Sequence, residues 1–333
     1  MLIDQLPARR SGGASVRVPG RRGHARVARR RAPALFLALG AAAAVLTGCG
    51  SGPNQAGAAV IVGTSSVSLT DVQARVNDVL GRSDVMSQLT SQGNTAADIA
   101  RFVATRQVQH LLLAAAAQRD GIAVTDEQVA AELAKPETAQ MLDGDLVFDQ
   151  GAAREAVRDQ LIAEALTTRY LDRLAVTVDV TTAGSRADAV SKARLLAAGP
   201  VQAAAVLAAD GPNAQRNLQL RAALVPQSAA LFLFGTPAGQ VVATQTSTSP
   251  DVWTVVRVTK RVTDAPPLGD PSGTSVAQLG EQTLDQIGRR LTQPLAEQLG
   301  VRVNPRYGTW DPLFLSVLPP GQQPSVVLPA TLS

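Results

Sequence analysis

Three observations predict a mainly α-helical chain, α+β overall. Aromatic residues make up only 3% of its 333 residues, while Ala, Val and Leu dominate, as in helices packed through small and aliphatic side chains. Two long segments, 96–119 and 152–174, carry apolar residues at helical spacing. Shorter segments, Val176-Val178-Val180 and 253–258, show the alternation or apolar run of strands.

The chain opens on a basic and then apolar leader. Arg29, Arg30 and Arg31 precede Ala34–Leu46, a stretch almost wholly of Ala, Leu, Val and Phe. That stretch suits a signal h-region and falls short of the about 20 residues a bilayer span needs. Leu46-Thr47-Gly48-Cys49 follows, with the chain's one cysteine. The run resembles a bacterial lipoprotein signal. It implies a signal peptide over 1–48, cleavage before Cys49, and a diacylglycerol thioether on Cys49 Sγ. The alternative for a lone thiol is a small buried hydrophobe. Sec and twin-arginine export both stay open.

Charge changes meaning once the leader is set aside. Residues 1–48 hold nine arginines and one acid, so 49–333 carry a net −4 against +4 for the whole chain. The high pI therefore belongs to the leader and names no nucleic-acid partner. His24 and His110 are the only histidines, too few for a histidine-rich metal site or a histidine triad, and one cysteine makes no internal disulfide. G-x-S-x-G, S-x-x-K and Walker signatures are absent from the sequence. No catalytic residue, metal site or cofactor is expected.

Residues 49–57 read as a Gly/Pro/polar linker. Ala58–Val62 and 67–69 flank Gly63-Thr64-Ser65-Ser66 as a hairpin. Thr70 and Gln73 read as a capping box opening a helix with Val72, Val76 and Leu80 inward. The segment 96–119 is apolar on two sides: Val108, Leu111, Leu112 and Ala115 on one, Ile99, Phe102, Val103, Leu113 and Ala117 on the other. Such a helix needs two partners, or one partner and a ligand. His110 on it reads as a solvated or hydrogen-bonded helix histidine. Asp120-Gly121 closes the helix through a left-handed cap, and Thr125 with Gln128 opens the next. Asp143-Gly144-Asp145 with Asp149 reads as a surface turn, since the spacing lacks the remaining calcium ligands. After the helix at 152–174, strand 176–180 leads into helices at 186–198 and 201–209 and a second strand at 253–258. Leu284, Ile287, Leu291 and Leu295 form one stripe on a helix kinked near Pro294, which requires a groove. The prolines at 319, 320, 324 and 329 mark 312–333 as a disordered tail.

Two segments together resemble the SurA and PrsA group of extracytoplasmic folding factors. One is the hairpin followed by Leu111-Leu112-Leu113 through Arg119-Asp120-Gly121-Ile122-Ala123-Val124-Thr125-Asp126-Glu127-Gln128-Val129. The other is the helix ending at Leu299, followed by Val301-Arg302-Val303-Asn304-Pro305. The resemblance implies a SurA-N-like helical module of 58–175 plus 276–311, completed by its C-terminal helix, with a parvulin-like α+β insert at 176–262 and a linker at 263–275. In the insert, Ala189, Leu196, Gly199, Leu231–Val241 and Trp253–Val258 are similar to parvulin segments. Asp179, or a neighbour, and Thr254 stand where parvulins place two facing histidines, and 176–262 has none. Efficient prolyl isomerisation is therefore not expected.

The resemblance implies a membrane-anchored, extracytoplasmic chaperone that binds unfolded or newly exported polypeptides in an apolar cradle between module and insert. Ile99, Phe102, Val103 and Leu113 are the candidate client contacts. The alternatives are a weak parvulin-type isomerase and a small-ligand-binding lipoprotein.

Overall fold

A computed structural model describes residues 57–144, 150–245, 252–268, 273–322 and 324–332. The leader, Cys49, most of the linker, Asp145 and Asp149 lie outside them.

The hairpin of β1 (Ala58–Val62) and β2 (Ser65–Ser68) leads into α1 (Leu69–Gly81), α2 (Ser83–Ser91), α3 (Ala96–Asp120), α4 (Asp126–Leu133), α5 (Pro136–Gly144) and α6 (Gln150–Tyr170). The sheet-bearing part holds β3 (Ala175–Ala183), α7 (Arg186–Ala198), α8 (Pro200–Asp210), β4 (Gln215–Arg221), α9 (Pro226–Ala229), α10 (Phe232–Gly235), β5 (Gln240–Gln245) and β6 (Trp253–Val262). The chain then returns through α11 (Glu281–Leu291), α12 (Gln293–Leu299), β7 (Val301–Val303), β8 (Thr309–Asp311), β9 (Ser316–Leu318) and β10 (Ser325–Pro329).

Local chemistry sets the helix ends. Ser68, and not Thr70, caps α1: its hydroxyl accepts from Asp71 N at 3.0 Å and donates to the Asp71 carboxylate at 2.6 Å, which leaves Thr70 in the first turn. Thr95 and Asp98 form a reciprocal capping box on α3, and those contacts with Arg101 bring the Asp98 pKa down to about 2. Gly121 ends α3 at φ 65°, a conformation costly to other residues. Thr125 and Gln128 box the start of α4.

Three antiparallel sheets form: β2-β1-β7, β10-β5-β6-β3-β4, and the β8-β9 ribbon. The first brings the returning chain home, with Val62 opposite Val301 and Val60 opposite Val303. The returning helix α11 lies on α6, where a Cβ at Gly288 would overlap the Ala163 carbonyl, and Thr167 Oγ1 donates to Leu284 O at 2.6 Å. The groove that the Leu284 stripe requires is thus floored by Ala163 and Thr167. Ile287, Leu291 and Leu295 bury there beside Leu113, Ile162 and Leu166, and the same cluster continues into Val176, Val178, Val256 and Val258 of the large sheet. One core therefore runs through helical module, insert and returning helices.

A second cluster joins β1 to α1 and α3 through Val60, Val72, Val76, Val103 and Leu112. A third covers the other face of the large sheet, where Ala189, Ala193 and Leu196 of α7 meet Val241, Ala243, Trp253 and Val255.

The structure corrects the reading of 312–333 as disordered. Its described residues form β9 and β10, and β10 pairs with β5 from Ser325–Thr244 to Pro329–Gln240. Prolines are excluded from central strands but tolerated at an edge strand's end, which is where Pro329 sits. No described helix is long and apolar enough to cross a membrane.

Candidate functional site

The four expected contact residues on α3 have different surroundings. Ile99 packs with Val79 and Val85, Val103 joins the β1 cluster, and Leu113 lies in the shared core; all three are buried. Only Phe102, 38% exposed, reaches solvent. The correction has a simple cause: a helix apolar on two sides is satisfied here by two partners of its own chain. The expected cradle between module and insert is likewise filled at its base by the common core.

Apolar surface remains around the loop that joins β8 to β9. Residues 313–317 run along the Thr105–Gln109 side of α3: Val317 N donates to Thr105 Oγ1 at 2.8 Å, and Gln109 Nε2 donates to Leu315 O at 2.9 Å. Phe102 continues that stripe, one turn before Thr105. From the other side, Arg290 of α11 donates to Leu313 O at 2.7 Å and to Ala230 O at 3.1 Å, so one guanidinium ties the loop to the α9–α10 turn. Burial lowers the Arg290 pKa to about 10, with Asp311 opposing the shift. Gln293, fully buried, completes the knot: it accepts from Arg290 at 2.9 Å and contacts Thr236 Oγ1 at 3.4 Å.

Leu313 and Leu315 of the loop and Val317 of β9 point inward and are buried, whereas Phe314 is 47% exposed. Asp311 Oδ1 accepts from Leu313 N and Phe314 N at 2.8 and 3.1 Å, and Leu315 sits at φ 50°. A leucine in the left-handed region persists only where its surroundings hold it. The buried side chain and the Gln109 bond do so here. Leu231, 50% exposed, belongs to the turn held by the same arginine. Phe314 and Leu231 are thus presented on backbone fixed by Arg290, with Phe102 on the adjoining helix.

Asp179 and Thr254 do not face one another. In the register of β3 and β6, Asp179 pairs with Arg257 and Thr254 with Thr182, three positions along a regular ladder, so their side chains leave opposite faces of the sheet. Asp179 lies on the α7–α8 face, where Arg257 approaches it at 3.6 Å and Asn217 N donates to it at 2.9 Å. Val180, the next residue after Asp179, pairs with Val256 and so shares a sheet face with Thr254.

His110 forms a polar contact in the helical module, its Nδ1 2.9 Å from Asp159 Oδ1. Beside it, Arg75 grips Glu155 through two bonds of 3.0 Å, and Gln107 donates to the same carboxylate. The Asp159 hydrogen bond raises the His110 pKa against the opposing effect of burial. Among the described residues no group of three or more His, Cys, Asp or Glu is placed to hold a metal ion.

Residues 26–150 match the family model of the SurA-like N-terminal domain. No curated protein matches the chain. Among solved structures, the chain is similar to the foldase protein PrsA from Streptococcus pneumoniae str. Canada MDR_19A, at 12% identity over 62% of this chain and 87% of that one, with a TM-score of 0.21.

Proposed function

From the SurA-like N-terminal domain that residues 26–150 carry, we propose that this protein is an extracytoplasmic holding chaperone, tethered to the membrane through a lipid on Cys49. It binds unfolded or newly exported polypeptides. The carrying observation is that Leu231 and Phe314 stay about half exposed on backbone riveted by Arg290. Large apolar side chains held rigidly in water lose little further freedom when an unfolded segment covers them. Such contacts give modest, sequence-tolerant affinity without bond chemistry. The basic and then apolar leader ending in Leu46-Thr47-Gly48-Cys49 supports export and anchoring.

Efficient prolyl isomerisation is not expected of this chaperone. That reaction lowers a barrier of about 18–20 kcal/mol by binding a twisted amide. The absence of histidine from 176–262 supports this reading.

The test is aggregation of a reduced model protein in the presence of the chain from residue 50 onward. Suppression is expected at stoichiometric amounts, together with no acceleration of cis–trans exchange in a proline tetrapeptide. Unchanged aggregation at molar excess refutes the holding function, and measurable exchange refutes the exclusion of isomerisation.

A further inference from the structure

The edge of the large sheet contains a built site for an extended peptide, occupied by the chain's own C-terminal strand. Val326, Leu328 and Ala330 point into the groove between α7 and β5 and pack on the cluster formed by Val241, Ala243, Ala193 and Leu196. Backbone pairing with β5 runs over five positions, from Ser325 to Pro329. Beyond the strand, Ala330 N donates to Gly239 O at 2.7 Å and Thr331 N to Ala197 O at 3.0 Å. Arg257, 5% exposed, donates through Nη2 to Thr331 O at 2.8 Å while its other nitrogen lies 3.6 Å from Asp179. The acceptor parts belong to β5, α7 and the Asp179–Arg257 pair.

The fit is one-sided. Val241, Val242, Ala243 and Thr244 of β5 are fully buried beneath the tail, whereas every described residue of 321–332 stays partly exposed or exposed. The tail therefore covers the sheet edge without being enclosed by it. Its recognition chemistry is generic: main-chain pairing, aliphatic side chains at alternate positions, and one carbonyl for a buried guanidinium.

We propose that this groove is a second client site, which takes extended polypeptide segments with aliphatic residues at alternate positions, and that β10 is a resident stand-in such segments must displace. The identity of the partner as a client rests on the holding function proposed above; occupation by peptide does not.

A labelled peptide of residues 322–333 tests it by fluorescence anisotropy. The full chain carrying Val326→Asp and Leu328→Asp should bind the peptide at least about tenfold more tightly than the unaltered chain, about 1.4 kcal/mol. The same peptide with Asp at both positions should not bind. Equal binding by both chains, or none by the folded variant, overturns the proposal. Should the variant fail to fold, hydrogen exchange on the unaltered chain decides: excess peptide should speed exchange of the Val326–Leu328 amides and leave those of β6 unchanged, and no change at the tail overturns the proposal. A dimer with exchanged tails would place a second copy in the groove and would also overturn it. Aggregation suppression that fails while peptide binding persists removes the chaperone function and leaves the groove.

Discussion

His110 shows how a single side chain sets a pH dependence. Its nearest charged neighbours are Asp159 and Glu155 on α6 and Arg75 on α1. The Asp159 bond raises its folded pKa above the ordinary 6.5, so the folded state binds the proton more tightly than the unfolded chain. The resulting stability is fully present below about pH 6.5 and is lost as pH rises through the folded value. Urea unfolding followed from about pH 6 to pH 9 should show a midpoint that falls with pH, and His110→Gln should flatten that slope. An unchanged slope refutes the contact's role. At Gly288 the constraint is space. Alanine there meets the Ala163 carbonyl, which is backbone and cannot rotate away. Gly288→Ala should cost about 1–3 kcal/mol, read as a lower urea midpoint.

Among the elements, α3 depends on its first turn as well as on its two apolar sides. Thr95 and Asp98 satisfy each other's backbone donors, so Thr95→Ala should destabilise by about 1 kcal/mol, measurable by thermal unfolding; a change within error would show that the helix ends do not need the box. Much of this level was legible in the sequence. The 96–119 pattern, Gly121 and the Thr125–Gln128 pair each state a local rule that tertiary packing did not override. The misreadings arose where a choice is made by partners distant in sequence. The Ser68 cap is an exception, a local choice in which Asp71 N and the Asp71 carboxylate both bond the Ser68 hydroxyl. Strands β4, β5 and β10 are not declared by the sequence alone: Gln215–Arg221 is too polar, Gln240–Gln245 shows no apolar/polar alternation, and Ser325–Pro329 lies among prolines. Each is a strand because β3, β5 or β6 lies beside it. The site was less legible still. Periodicity identified the two apolar sides of α3 without revealing that both would be claimed internally, and nothing in Leu231 or Phe314 foretells the Arg290 clamp.

For the whole molecule the decisive question is which apolar side chains serve the fold and which serve a partner. The common core uses Leu113, Ile287 and Val256 to fasten module, returning helix and sheet into one body. A loss there should be felt everywhere. Leu113→Ala should cost about 2–5 kcal/mol and lower the melting temperature, without changing aggregation suppression per folded molecule. Phe102, Leu231 and Phe314 lie outside that core and are at least 38% exposed. Truncation of such partly exposed side chains costs less than truncation in the core. A chain carrying Phe102→Ser, Leu231→Ser and Phe314→Ser together should therefore melt close to the unaltered protein, yet need several-fold more protein for the same suppression of aggregation. The two variants separate the roles because one truncates a fully buried core side chain and the other truncates side chains that are 38–50% exposed. Equal suppression by the triple variant and the unaltered chain would exclude the Arg290 seam as the holding surface and leave the β5 groove as the place where clients are bound.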